Sequence, residues 1–258
     1  EGTSDGAVRL AVEGPVAHIT IDRPAARNAM TPAMYDDLAA ACATIGARPE
    51  IRVAVLRGAG GAAFVAGTDI AAFRDFTSGE DGIAYEARME AVIAGLEALP
   101  MPTIAIVEGW AVGGGLILAN ACDLRLAAPG ARFGVPIARI LGNGLSAANL
   151  RRLSRNLGPS LVARMLLAAE TPTAEELPPG YVEIAGEGEL EARLEALCER
   201  LCGHAPLTMR AAKEALRRLA LDPAPDDGDL VRLVYGSADF REGVAAFVAR
   251  RKPVWRGE

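Results

Sequence analysis

Polar and apolar residues alternate over positions 8–12 and 16–21, and Glu13-Gly14-Pro15 breaks the alternation, which predicts a β-hairpin at the start of the chain. Asp22-Arg23-Pro24 then reads as a turn. Thr31 followed by Pro32 supplies an N-cap and a first helical residue, so a helix is predicted over 32–45. Residues 51–56 form an apolar, β-branched run that predicts a strand, and this run opens into Arg57-Gly58-Ala59-Gly60-Gly61. After a polar stretch at 75–82, Met89, Val92, Ile93 and Leu96 recur at helical spacing, predicting a helix over 83–99 that Pro100 and Pro102 stop. Strands are predicted at 103–107 and 123–127, an extended segment with a turn at 131–136, and helices at 145–156 and 159–169.

Beyond Thr171 the period becomes helical. Leu190, Leu194, Leu197, Cys198 and Leu201 mark one amphipathic helix; Met209, Ala212, Leu216 and Leu219 mark a second. Phe240, Val244, Phe247 and Val248 mark a third, joined to the second by a Pro- and Asp-rich linker at 221–229. The pattern therefore predicts an α/β core over 1–190, carrying any site, and a helical region over 191–258. No internal repeat is visible in the sequence.

Between the strand at 103–107 and an apolar helix at 116–121 lie three consecutive glycines, Gly113, Gly114 and Gly115. Glycines let backbone N–H groups approach a ligand, and the first N–H groups of a helix have no internal partner. An anion or a polarised carbonyl fits such a place. Neither GxxxxGK[ST] nor GxGxxG occurs there or in the loop after residue 56, so a phosphate-loop or dinucleotide reading has little support.

Composition narrows the function classes. The 258 residues are 51% hydrophobic, enough for a sizeable core, and carry 27 basic against 33 acidic side chains, a net charge of -6 that argues against nucleic acid as a partner. The uncharged run around residue 115 is Gly-rich and too short to span a bilayer, and no charged-then-apolar leader opens the sequence, so no membrane role and a cytoplasmic location are expected. Cys42, Cys122, Cys198 and Cys202 sit in apolar or helical patterns and read as buried small hydrophobes. With only His18 and His204 to join them, no metal site is expected.

Several blocks taken together resemble one family. Ile21-Asp22-Arg23-Pro24 with Asn28-Ala29-Met30, residues 64–70, residues 109–123, Phe133-Gly134-Val135-Pro136, Phe240-Arg241-Glu242-Gly243 with Ala246-Phe247, and Arg251-Lys252-Pro253 are similar, in order, to the enoyl-CoA hydratase/isomerase, or crotonase, superfamily. The resemblance implies an α/β, crotonase-like spiral of ββα units with a C-terminal helical trimerisation region, assembled as a homotrimer or homohexamer. It implies an acyl-CoA thioester as substrate, with no tightly bound cofactor. Its shared chemistry polarises the thioester carbonyl between two backbone N–H groups, which fall here on Thr68 and Gly114.

The departures are as informative. At the two positions where the family's hydratases carry catalytic glutamates, this chain has Ile117 and Ile137, and neither moves a proton. Three readings follow: an enzyme that takes its acid or base from elsewhere or lets the substrate or an ordered water supply it, a case that naphthoate synthases and decarboxylases of the superfamily resemble; an acyl-CoA-binding protein without turnover; or a weak hydratase or isomerase. Candidate replacements near the motifs are Asp69, Asn120, Arg139, Asn143, Tyr85 and Glu86. Asp69 also reads as a helix cap, Asn120 as a backbone partner, and Tyr85 and Glu86 as a solvated helix face. Arg139 and Asn143 are expected in the pocket wall, where an arginine suits an acyl carboxylate. Ile117, Ile137 and Trp110 imply an apolar acyl pocket for a hydrophobic or bulky group, although a tryptophan such as Trp110 is more often a core residue. CoA itself is expected along Ala66, Gly67 and Thr68, with Arg23, Arg27, Arg251 and Lys252 near its phosphates; cations after a helix end have the helix dipole as a competing explanation.

Overall fold

Three times along the chain a strand is followed by a second, shorter strand and then a helix, and this repetition is the plan of the molecule. The structure, a computed structural model, describes residues 6–221 and 228–258. A hairpin of β1 (Ala7–Glu13) and β2 (Val16–Asp22) leads to α1 (Pro32–Gly46). The first turn is β3 (Val53–Gly58), β4 (Ala63–Val65) and α2 (Gly79–Glu97). The second is β5 (Thr103–Val107), β6 (Trp110–Val112) and α3 (Gly114–Ala121), and the third β7 (Leu124–Ala127), β8 (Arg132–Gly134) and α4 (Ile137–Ile140). Then follow α5 (Ala147–Leu157), α6 (Pro159–Leu167), β9 (Glu183–Ile184), and the helical C-terminal region of α7 (Leu190–Cys202), α8 (Pro206–Leu219), α9 (Gly228–Tyr235) and α10 (Ala238–Val248).

Strands β1, β2, β3, β5, β7 and the two-residue β9 build one six-stranded sheet in that order, in which, among the described residues, only β1 and β2 pair antiparallel. The short strands build a separate parallel sheet, β4-β6-β8. This is the mixed α/β spiral that the resemblance implied. The repeat escapes sequence reading because the short strands have three residues each and follow their long partners after unequal gaps, 59–62, 108–109 and 128–131.

The unbroken apolar runs of β3 and β5 have a direct cause, since side chains alternate between two buried layers. Ala54, Leu56, Ala105 and Val107 face the main core with Met34 and Leu38 of α1 and Ile93 and Leu96 of α2. Val53, Val55, Ile104 and Ile106 face a second layer closed by Leu194, Leu197, Cys198 and Leu201 of α7. A slip of one residue would exchange the layers, so the register is firmly held.

Several helix boundaries differ from the sequence expectation by a few residues, most at the start of α2. Helix α2 begins at Gly79 rather than 83, because the N–H groups of Thr77 and Ser78 both donate to Asp81 Oδ2 at 2.8 Å, and this acidic residue anchors the first turn. The one-turn α4 and the short α9 carry too little periodicity to be read. The predicted linker at 221–229 falls mostly outside the described residues, as do the side chains of Phe247 and Val248. Cys42, Cys122 and Cys198 are buried and Cys202 is half-buried. Among the described residues no helix is long and apolar enough to cross a membrane.

Candidate active site

Parallel strands that share a sheet end on the same side, and ligands collect at their carboxyl ends. Strand β4 runs into Ala66-Gly67-Thr68, β6 into Gly113-Gly114, and β8 into Val135-Pro136-Ile137, so these three connections meet in one place. The first is strapped to the turn before α1. Ala66 N–H donates to the Arg27 carbonyl at 3.1 Å, Met30 N–H to the Gly67 carbonyl at 2.9 Å, and Asp69 N–H to the Met30 carbonyl at 2.9 Å. Among the described residues the N–H groups of Thr68 and Gly114 have no acceptor.

The glycines at the start of α3 have separate causes. Gly113 takes φ +56°, a conformation that side chains disfavour, and so turns the chain from β6 into the helix. At Gly115 a Cβ would lie 1.9 Å from the Val65 carbonyl, so the helix can approach β4 only without one. At Gly114 a Cβ would lie 2.7 Å from Tyr35 Oη and 4.0 Å from Thr68 N, which puts the two free N–H groups beside one small space.

That space opens into a cavity of about 140 Å³. Its walls are largely apolar, including Ile70, Phe73, Met89, Ile93, Ile117 and Ile137. Phe73 meets the Tyr85 ring edge-on at 5.0 Å and the Phe76 ring at 5.2 Å. The two isoleucines at the expected glutamate positions therefore face the cavity, Ile117 from the first turn of α3 and Ile137 from the start of α4.

Polar groups enter the cavity from one side. Thr68 Oγ1 lies 2.9 Å from Tyr35 Oη and 2.7 Å from Tyr85 Oη, making a chain of three hydroxyls. Burial pushes the Tyr35 phenol well above its ordinary value, and burial likewise raises Tyr85; the Glu86 charge adds to both. Both phenols stay neutral at physiological pH. Glu86 also lines the cavity, and its Oε2 accepts the N–H of Ser146 at 3.1 Å. Tyr85 and Glu86 are half-buried in the cavity wall, which corrects their reading as a solvated face. The signal was present: Tyr85, Met89 and Ile93 sit at i, i+4 and i+8 on one stripe of α2. Tyr35 carried no such signal, because nothing local in α1 points to the loop it meets.

Other expected residues are distributed differently. Asn143 lines the cavity, whereas Arg139 is exposed and outside the lining. Asp69 caps the short helical turn after it, accepting Ala71 N–H at 2.9 Å, and pairs with Arg23 at 2.7 Å; the cap and this cation hold its carboxyl below the usual range. Arg23 also donates to the Ala29 carbonyl at 3.0 Å. Arg27 is exposed beside the Ala66 strap. Arg251 is engaged by Glu242 at 2.5 Å, Lys252 is exposed, and neither lines the cavity. Asn120 is buried away from it, accepting from Asn156 and Tyr181. Trp110 stacks under Arg132 at 5.6 Å rather than lining the cavity.

The sequence matches the family model for enoyl-CoA hydratase/isomerase over residues 11–258. It is 37% identical over 261 aligned residues to (E)-benzylidenesuccinyl-CoA hydratase of Thauera aromatica, covering 97% of this chain and 99% of that one. It is 32% identical over 246 residues to 2,3-dehydroadipyl-CoA hydratase of Escherichia coli strain K12, covering 93% and 94%. Among solved structures, an enoyl-CoA hydratase/carnithine racemase from Magnetospirillum magneticum superposes with a TM-score of 0.89 at 36% identity, covering 97% of this chain and 96% of that chain.

Proposed function

Since the chain belongs to the enoyl-CoA hydratase/isomerase family, whose members act on CoA thioesters, we propose that it processes an acyl-CoA by holding the thioester carbonyl between the N–H groups of Thr68 and Gly114. The observation that carries this reading is the pair of unpartnered backbone donors beside one apolar cavity. Donors fixed by the Gly67 strap and the α3 start need little reorganisation as negative charge develops on the oxygen, and one such donor is typically worth about 10² to 10³ in rate.

The apolar walls support a hydrophobic or bulky acyl group. An aromatic group is favoured by the edge-on cluster of Phe73, Phe76 and Tyr85 and by the similarity to a hydratase of benzylidenesuccinyl-CoA. Ala66 and Gly67 line the CoA side of the cavity, with Arg23 and Arg27 as the nearby cations and Arg251 and Lys252 as phosphate contacts from the C-terminal region. Exposed Leu216, Leu219, Val231 and Val244 on the C-terminal helices support assembly into a homotrimer or homohexamer.

Ile117 and Ile137 leave the usual two-glutamate addition of water without its proton carriers. Turnover is therefore of lyase or isomerase type with an acid/base group from elsewhere. The second reading, an acyl-CoA-binding protein without turnover, is favoured by the same two isoleucines. Calorimetry with acyl-CoA esters of graded size, run beside a crotonyl-CoA hydration assay, tests the proposal. Micromolar or tighter binding is expected, with crotonyl-CoA hydrated far more slowly than about 10 per second. Absence of binding across the series would overturn the site; ordinary hydration rates would overturn the role given to the isoleucines.

A further inference from the structure

Among the described residues lining the cavity, Glu86 is the sole carboxylate. Helix α2 holds it there through the stripe of Tyr85, Met89 and Ile93 on the adjoining face. Its two oxygens are not equivalent. Oε2 accepts the N–H of Ser146, the residue that caps α5. Oε1 accepts no hydrogen bond from any described residue.

The neighbouring hydroxyls have a direction. Tyr35 is 2% exposed, and Thr68 Oγ1 is its hydrogen-bond partner among the described residues. A buried hydroxyl proton left without an acceptor costs about 1–3 kcal/mol, so Tyr35 donates to Thr68. The Thr68 proton is then available to Tyr85 Oη at 2.7 Å, an arrangement that leaves the Tyr85 proton free for the cavity. Thr68, Tyr85, Glu86 and Gly114 all line the same cavity, so carboxylate, phenol and the Thr68 N–H belong to one site.

We propose that Glu86 is the acid/base residue of this site, removing and returning the proton on the carbon next to the thioester, with the Tyr85 hydroxyl as a neutral hydrogen-bond donor beside it. The inference rests on the thioester reading above. The step is closed: the Cα–H proton passes to Glu86 Oε1, and its bonding pair becomes the second bond between Cα and the carbonyl carbon. The carbonyl oxygen takes the negative charge between Thr68 and Gly114. Return of the proton restores the thioester and the carboxylate. The function of the missing glutamates is thus supplied from α2, a different wall of the cavity.

The test uses the full chain with 3-phenylpropionyl-CoA in heavy water, reading α-deuteration by mass spectrometry and binding by calorimetry. Wild type is expected to exchange. Glu86→Gln, which keeps an oxygen for the Ser146 N–H, is expected to bind within about threefold of wild type and to exchange at least about 100-fold more slowly. If Glu86→Gln melts early, Glu86→Asp serves in its place, with an expected loss of about 10- to 100-fold from a withdrawn carboxylate. Exchange by Glu86→Gln within about threefold of wild type would overturn the inference and leave the thioester site standing. So would tight binding with no exchange by wild type. Absence of binding by wild type would remove the thioester reading, and the inference with it.

Discussion

A single methyl group added at Gly114 tests the site's geometry closely. The new Cβ would stand 2.7 Å from Tyr35 Oη, 3.5 Å from Thr68 Oγ1 and 4.0 Å from Thr68 N. The first contact is too short to persist, so Tyr35 must withdraw and its 2.9 Å bond to Thr68 must lengthen. Overpacking of this kind costs about 1–3 kcal/mol, while Ala for Gly in a helix returns at most about 1 kcal/mol, leaving Gly114→Ala destabilised by roughly 0–3 kcal/mol. The effect on chemistry is larger. The methyl crowds the space in front of both N–H donors, and loss of one donor corresponds to about 10²- to 10³-fold, or about 3–4 kcal/mol in the transition state. The assay pairs urea unfolding with α-deuteration of 3-phenylpropionyl-CoA. Tyr35→Phe in the same chain removes the clashing oxygen, so the double variant is expected to recover stability but not exchange. Wild-type exchange by Gly114→Ala, or no recovery of stability by the double variant, would refute this account of the three glycines.

Other expectations follow from contacts around the cavity and the C-terminal tail. Arg152 joins α5 to α2, donating to Glu90 at 2.6 Å and Glu97 at 3.0 Å, and is largely buried; Arg152→Met should cost about 1–3 kcal/mol in urea unfolding, after discounting for the partly exposed Glu90. Arg251 and the Val254 N–H hold the Glu242 carboxyl down at about 2, against an ordinary value of 4.5. Because the folded value is depressed, its contribution is complete above about pH 4.5 and is lost as pH falls towards 2, so a carboxyl NMR titration should find a midpoint near 2 in the wild type. Burial pushes the Cys122 thiol up to about 12 and Cys42 to about 11; at pH 8 iodoacetamide should leave both intact in the native protein and modify half-buried Cys202 first, as peptide mapping would show.

What the sequence disclosed depended on the length over which a residue's role is written. The runs at 51–56 and 103–107 are long enough to declare strands buried on both faces, and Thr31-Pro32 announces α1 because capping is local. Thr31 indeed accepts the Met34 N–H at 3.3 Å. Of the short strands only β8 was read, as part of the extended segment at 131–136, while β4 and β6 left no periodic trace, so the small sheet that aims Thr68 and Gly114 came only through the family resemblance. Tyr35 lies 33 positions from Thr68, and Glu86 lies 60 from Ser146, so their meeting is a property of the fold rather than of any segment. Arg139 was expected in the wall because it follows Ile137 closely, but the single turn of α4 carries it round to the exposed side.

The central claim concerns a carbonyl polarised by two backbone donors, and infrared difference spectroscopy of bound 3-phenylpropionyl-CoA labelled with carbon-13 at the thioester carbonyl tests it most directly. The account predicts that the carbonyl stretch moves to lower frequency on binding to the wild type and returns towards its free value in Gly114→Ala. A stretch unchanged from free ligand in the saturated wild-type complex would contradict it.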